Sequence, residues 1–199
     1  MLFHNYLEEI LGSRVKIMLL RIMFHFPNKV FTGRELAKQI PEISHTAVSK
    51  SLKSLIAMNL ISQEYHGRSQ LLSLNKASYL FSILENLFSH EEKTLNNLTD
   101  RIKGFFKGKR INGIKSVILF GSIAKKKEEI NSDIDLLIIA KNRGIVEREL
   151  ANLQAEITKE FGNVISPYFM EPKEFKRKEK SPFIKDIKKG YILVFGKNI

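Results

Sequence analysis

Two apolar runs bracket one polar stretch in the second half of the chain, and this pattern constrains the fold more than any other feature. Ser116-Val117-Ile118-Leu119-Phe120 leads into Gly121-Ser122, and the stretch closes with Ser132-Asp133-Ile134-Asp135-Leu136 before Leu137-Ile138-Ile139-Ala140. Both runs are too short for a typical helix and rich in β-branched residues, so both read as buried strands. Gly121 permits a tight exit from the first strand, and Ser122 is placed to cap a short helix after it. Side chains alternate faces along a strand, so Asp133 and Asp135 point the same way, roughly 6.6 Å apart along the backbone. Two carboxylates at the mouth of an apolar strand are costly to desolvate unless a cation or donors meet them. Mg²⁺ takes one or two carboxylates and leaves its other positions to water and substrate phosphate, so the pair suits such an ion.

Strand, Gly-Ser, short helix, Ser-Asp-x-Asp and second strand together resemble the signature of the DNA polymerase beta-like nucleotidyltransferases, especially the minimal members of that superfamily. In the family, Gly-Ser holds a nucleoside triphosphate through backbone and hydroxyl donors and the two aspartates bind the metals. Carried over, these are Gly121, Ser122, Asp133 and Asp135, with Lys125 and Ser132 as further candidate nucleotide contacts. The resemblance implies Mg²⁺ or Mn²⁺ and a nucleoside triphosphate as substrate or ligand. The chain also departs from the pattern. Lys126 stands where the family often has a second glycine, and Ile123 where an arginine is common. Active members carry a third carboxylate on a later strand. Here that strand, residues 163–170, holds no acid; Ser166 takes the expected position, and Glu171 lies just beyond as a replacement acid. Losing the third carboxylate hurts chemistry more than nucleotide binding.

The N-terminal part carries a different pattern. Ser13 is placed to cap a helix over 14–25 that is apolar almost all round. Thr32-Gly33-Arg34-Glu35 has capping-box spacing and opens a helix through Gln39, which Pro41 ends. Ser44 caps a third helix over 45–58, with Val48, Leu52, Leu55 and Ile56 on its apolar face. Residues 60–65 and 70–74 form strands of a hairpin closed by His66-Gly67-Arg68-Ser69. The order resembles a winged helix-turn-helix domain. That resemblance makes the third helix the recognition helix and Ser44, His45, Thr46, Ser49, Lys50 and Lys53 its DNA-facing residues, with His66 and Arg68 at the wing tip meeting phosphates or the minor groove. Few side chains there suit bidentate base reading, so specificity rests on small polar contacts and DNA shape.

Residues 78–106 are helical in pattern and connect the two parts, with Ser89 starting a second helix; Gly104 to Gly113 reads as a loop before the central strand. The expected fold class is α+β: a winged helix-turn-helix over 1–76, a helical connector over 77–109, and an α/β nucleotidyltransferase domain with a mixed sheet over 110–199.

The chain of 199 residues carries a net charge of +12. Residues 1–90 hold ten Lys and Arg against six Asp and Glu, and residues 91–199 twenty-three against fifteen, so both parts favour a polyanionic partner. There is no cysteine, which excludes disulfides and thiolate metal sites. No signal peptide and no bilayer-spanning run is present, which points to the cytoplasm. The first expectation is therefore a DNA-binding, regulatory homodimer whose second domain binds nucleotide and Mg²⁺ with weak or lost activity. The alternatives are an active enzyme moving a nucleoside monophosphate onto a protein, RNA or small-molecule hydroxyl, and an antitoxin-like partner of another protein.

Overall fold

The structure is a computed structural model that describes residues 1–108 and 113–199. The chain divides into two compact units, residues 5–92 and residues 1–4 with 93–199.

The first unit begins with α1 (Leu7–Leu11) and α2 (Arg14–His25), followed by β1 (Phe31–Thr32), α3 (Gly33–Gln39), α4 (His45–Ala57), β2 (Ile61–His66) and β3 (Ser69–Leu74). Thr32 makes the expected capping box with Glu35, and the Ser44 hydroxyl accepts from Ala47 N. Ser13 sits at the start of α2 but makes no side-chain cap, because its backbone departs from the extended conformation such caps use. The sheet order is β1-β3-β2, all antiparallel. Strand β1 is two residues long and invisible to pattern reading; it pairs Phe31 with Leu72 and buries Phe31. Leu19, Met23, Leu36, Leu55 and Leu72 complete the core. Arg21 bridges Glu8 and the buried Glu91, whose carboxylate also accepts from Leu7 N at 2.8 Å.

Residues 81–108 are one helix, α5 (Phe81–Gly108). Ser89 does not start a second helix: nothing from 81 to 103 is a glycine or proline, so no residue breaks the turn and the local capping signal loses. The helix also runs through Gly104, where a loop was expected; the remainder of that expected loop, residues 109–112, lies outside the described residues.

In the second unit, β4 (Ile114–Leu119), α6 (Gly121–Ala124), β5 (Ile134–Ala140), α7 (Arg143–Phe161), β6 (Ile165–Met170), α8 (Pro172–Lys178), α9 (Pro182–Lys188) and β7 (Ile192–Gly196) follow in order. The sheet is mixed, with order β6-β5-β4-β7; β5 and β6 are parallel and the other pairs antiparallel. Pro167 lies in β6, where its missing N–H is tolerated because β6 is an edge strand. One sheet face, built on Val117, Leu119, Leu136, Ile138 and Ile165, packs on Leu98, Ile102 and Phe106 of α5 and on Leu150, Leu153 and Ile157 of α7. The other face, built on Ile118, Leu137, Ile139 and Met170, packs on Phe175 of α8 and on Ile184 and Ile187 of α9. Asp135 alternates with Leu136 and so belongs to this second face, beyond the area the two helices cover.

Candidate functional site

Asp133 immediately precedes β5 and is exposed, while Asp135, one residue into the strand, is half-buried. Burial pushes the Asp135 carboxyl above its ordinary range, and the neighbouring Asp133 charge pushes it further in the same direction. Neither carboxylate has an ion-pair or hydrogen-bond partner among the described residues, although the chain is strongly basic. Phe120 N donates to the Asp135 carbonyl at 3.0 Å, which fixes the end of β4 against the start of β5. Gly121 follows with φ +76°, and a β-carbon there would stand 2.0 Å from Asp135 Oδ2. Position 121 is therefore glycine for two reasons, its left-handed backbone and the carboxylate packed against it.

Ser122 does not cap α6. Phe120 holds the cap position and Ser122 lies inside the first turn, so its hydroxyl has no internal partner among the described residues. Lys125 Nζ pairs with Asp186 Oδ2 of α9 at 2.7 Å, and this ammonium holds the Asp186 carboxyl below the usual range. Lys126, at the expected second-glycine position, is itself left-handed with φ +55°. Ser132 Oγ accepts from Glu129 N at 2.8 Å, and Ser132 N donates to Glu129 O at 2.9 Å. That hydroxyl stabilises the turn leading to Asp133.

Contacts that sequence reasoning missed hold this loop. Buried Asn163 donates from Nδ2 to Ser132 O at 2.9 Å and to Met1 O at 3.0 Å. The Glu128 carboxylate accepts from His4 N at 2.9 Å and from Phe3 N at 3.2 Å, and lies 2.6 Å from His4 Nδ1. Phe3 is fully buried against Phe161. Local patterns carry no trace of these contacts, since they join positions more than thirty residues apart.

Ser166 is the register partner of Asp135 across the parallel β5–β6 pair, so both side chains project from one face. This is the residue at which the sequence leads one to expect a third acid. Glu171 lies five residues further, about 16 Å along the strand direction, beyond any side chain's reach to Asp135. Glu171 is therefore no substitute for the missing acid. Among the described residues no group of three or more His, Cys, Asp or Glu side chains could hold a metal ion. Asp133 and Asp135 still fit one hard divalent cation whose remaining positions go to water and phosphate, and such an ion would also relieve the raised Asp135 pKa. Further along the same face stand Phe120, Tyr168 and Phe183. Phe183 of α9 lies 4.7 Å from the Tyr168 ring centroid and 5.8 Å from that of Phe120.

In the first unit, Ser44, His45, Thr46, Ser49, Lys50, Lys53, His66 and Arg68 are all exposed. His45, Ser49 and Lys53 of α4 line a cleft of about 760 Å³ with Arg34, Arg68 and Gln70. Thr46 and Lys50 line a second, smaller depression together with the same His45, Ser49 and Lys53. Ser44 and His66 lie outside both. No helix among the described residues is long and apolar enough to cross a membrane.

Residues 100–199 match the family described as "Polymerase beta, Nucleotidyltransferase". The chain belongs to this nucleotidyltransferase family. A relative from Methanocaldococcus jannaschii, named "Putative protein adenylyltransferase", is 35% identical over 112 residues, covering 54% of this chain and 76% of the relative. Among solved structures, a toxin–antitoxin with AMP-PNP matches at TM-score 0.36 and 16% identity, over 50% of this chain and 74% of that one. The adhesin competence repressor of Streptococcus pyogenes matches at 0.33 and 22%, over 53% and 87%. An archaeal chromatin protein with "a novel mode of DNA binding" matches at 0.31 and 16%, over 92% and 73%. At such TM-scores the likeness carries no weight for this chain.

Proposed function

We propose that the protein binds duplex DNA through its first unit and a nucleoside triphosphate with Mg²⁺ or Mn²⁺ through its second, and that it transfers nucleotide poorly. The observation that carries this reading is the Asp135–Ser166 register. The acid pair beside the Gly121–Ser122 turn supports the triphosphate reading, and a hydroxyl in register with Asp135 on the neighbouring strand, where the resemblance leads one to expect a third carboxylate, supports weak transfer. Gly121 and Ser122 would donate to phosphate oxygens, and Asp133 and Asp135 would hold the cation, which neutralises phosphate charge when bound. Ser166 supplies no charge for a second cation and is a poor base near neutral pH. For the first unit, helices α2 to α4 followed by a hairpin give the element order of a winged helix-turn-helix, with α4 in the major groove and Arg68 at the wing tip.

Calorimetry with ATP and Mg²⁺ tests the site: micromolar to millimolar binding that Asp133→Asn with Asp135→Asn abolishes supports it, and binding indifferent to both changes overturns it.

The 35% identical relative favours a second reading, protein adenylyl transfer. In that reaction an acceptor hydroxyl oxygen bonds to the α-phosphorus, the bond to pyrophosphate breaks, and the hydroxyl proton passes to water. Brisk labelling of a protein from α-labelled ATP by the wild type, lost in Asp133→Asn, replaces the first reading with this one.

A further inference from the structure

The stretch of sheet face between the two aspartates and helix α9 is lined with aromatic rings. Tyr168 stands two residues along β6 from Ser166, so it shares the face of Asp135 and lies diagonally across one strand spacing, about 8 Å away between α-carbons. Phe183, the second residue of α9, packs on Tyr168 at 44° between ring planes and meets Phe120 edge-on at 89°. The next residue after Phe120 is Gly121, the start of the triphosphate turn.

These rings are neither core nor loose surface. Tyr168 remains 42% exposed and Phe183 38% exposed. Their carrier is well fixed: Ile184 and Ile187 of α9 are buried, the Ser181 hydroxyl caps the helix at Ile184 N, and Asp186 pairs with Lys125 just after the Gly-Ser turn. The site thus presents a held, half-open aromatic surface beside its acid pair, with Tyr168 one diagonal step from Asp135.

We propose that Tyr168 and Phe183 form the stacking platform for the base of the bound nucleotide. The proposal rests on the triphosphate reading given above and assigns the other end of the same ligand. Stacking accepts any base, because every base has a π-face, and it favours the larger face. The ligand class is therefore a purine nucleoside triphosphate, with pyrimidine nucleotides held less tightly by the same rings.

The test compares Mg²⁺-dependent binding of ATP and of inorganic tripolyphosphate to the full chain by calorimetry. Tyr168→Ala and Phe183→Ala should weaken ATP by about 5- to 100-fold and leave tripolyphosphate unchanged. Tyr168→Phe should retain binding. Phe183→Leu keeps apolar volume without a ring face and should fall with Phe183→Ala. The chain has no tryptophan, so Phe183→Trp supplies a single fluorophore that ATP should quench and tripolyphosphate should not. Equal weakening of both ligands, unchanged ATP affinity, or quenching by both overturns the platform while the triphosphate site stands. A wild type that binds neither ligand overturns the triphosphate site, and the platform with it.

Discussion

The carboxylate of Asp135 fills the space that a side chain at position 121 would need, with 2.0 Å between Oδ2 and a β-carbon built on Gly121. The two halves of the motif are thus one steric unit: the turn that leaves β4 exists in that form because β5 returns an acid to it. Gly121→Ala must both displace Asp135 and hold a left-handed backbone, which costs roughly 1–2 kcal/mol. Circular dichroism should show a retained fold with a lower melting temperature. Calorimetry should show Mg²⁺-dependent triphosphate binding reduced at least about tenfold, the scale expected when a contact of ~1.4 kcal/mol is lost.

Asp135 carries a pH signature of definite sign. Burial and the Asp133 charge raise its pKa in the folded state. The folded chain then holds its proton more tightly than the unfolded chain, so stability falls as pH rises through that window and the cost is complete above the raised pKa. At neutral pH, Asp135→Asn should raise the melting temperature of the metal-free protein by on the order of 1 °C while removing Mg²⁺-dependent binding. In the wild type, Mg²⁺-dependent binding should weaken on acidification sooner than an ordinary aspartate would dictate, because cation and proton compete for one carboxylate. Differential scanning calorimetry and a pH series of titrations check both.

Much of this was legible in the sequence because it is local. The strand at 134–140 shows itself by its apolar run, and the acid pair by its period of two. The boundary of α4 shows itself through Ser44 and the capping box through Thr32 and Glu35, each a contact within three residues. What stayed hidden depends on distant partners. Asn163 reads as the first residue of a strand, but β6 begins at Ile165, and Asn163 lies before it, donating to the Ser132 carbonyl. Glu128 reads as one charge in a polar run until Phe3 and His4 fold onto it. Tyr168 and Phe183 lie on separate elements, fifteen positions apart, and no periodicity links them. Ser122 as a cap and Ser89 as a helix start were local signals that tertiary context overrode. The left-handed Lys126 runs the other way: the position suited to glycine was identifiable, and its backbone is strained accordingly.

The cleft beside α4 makes a prediction about DNA that separates charge from sequence. Lys50, Lys53 and Arg68 are exposed cations on or beside that surface. If each meets a phosphate, each substitution by alanine should lower the log–log salt slope of binding by about 0.9, equally for all sequences. Thr46→Ala and Ser49→Ala should leave the slope intact and reduce discrimination among duplexes. Fluorescence anisotropy of the full chain across a salt series measures both. An unchanged slope in Lys50→Ala, Lys53→Ala and Arg68→Ala would remove this surface from consideration.

The last prediction concerns Ser166, which faces Asp135 across the parallel pair. Phosphoryl-type transfer depends on metals that neutralise developing charge and on a group that orients the attacking hydroxyl. In the proposed site two carboxylates would hold a triphosphate complex, but a second cation beside them would lack an anionic ligand while position 166 is serine. Ser166→Asp places a third carboxylate in register with Asp135. Without metal this is a like-charge cluster, so Asp135 should become harder still to ionise and the melting temperature should fall. Added Mg²⁺ should reverse that loss and stabilise the variant more than it stabilises the wild type. With α-labelled ATP and protein acceptors, the variant should transfer label at least about tenfold faster, equivalent to ~1.4 kcal/mol off the barrier. Adding Asp133→Asn to the same variant should abolish the gain. If Ser166→Asp binds Mg²⁺ and ATP as well as the wild type yet transfers no faster, the missing acid is not what limits this site, and the wild-type serine is no obstacle to catalysis.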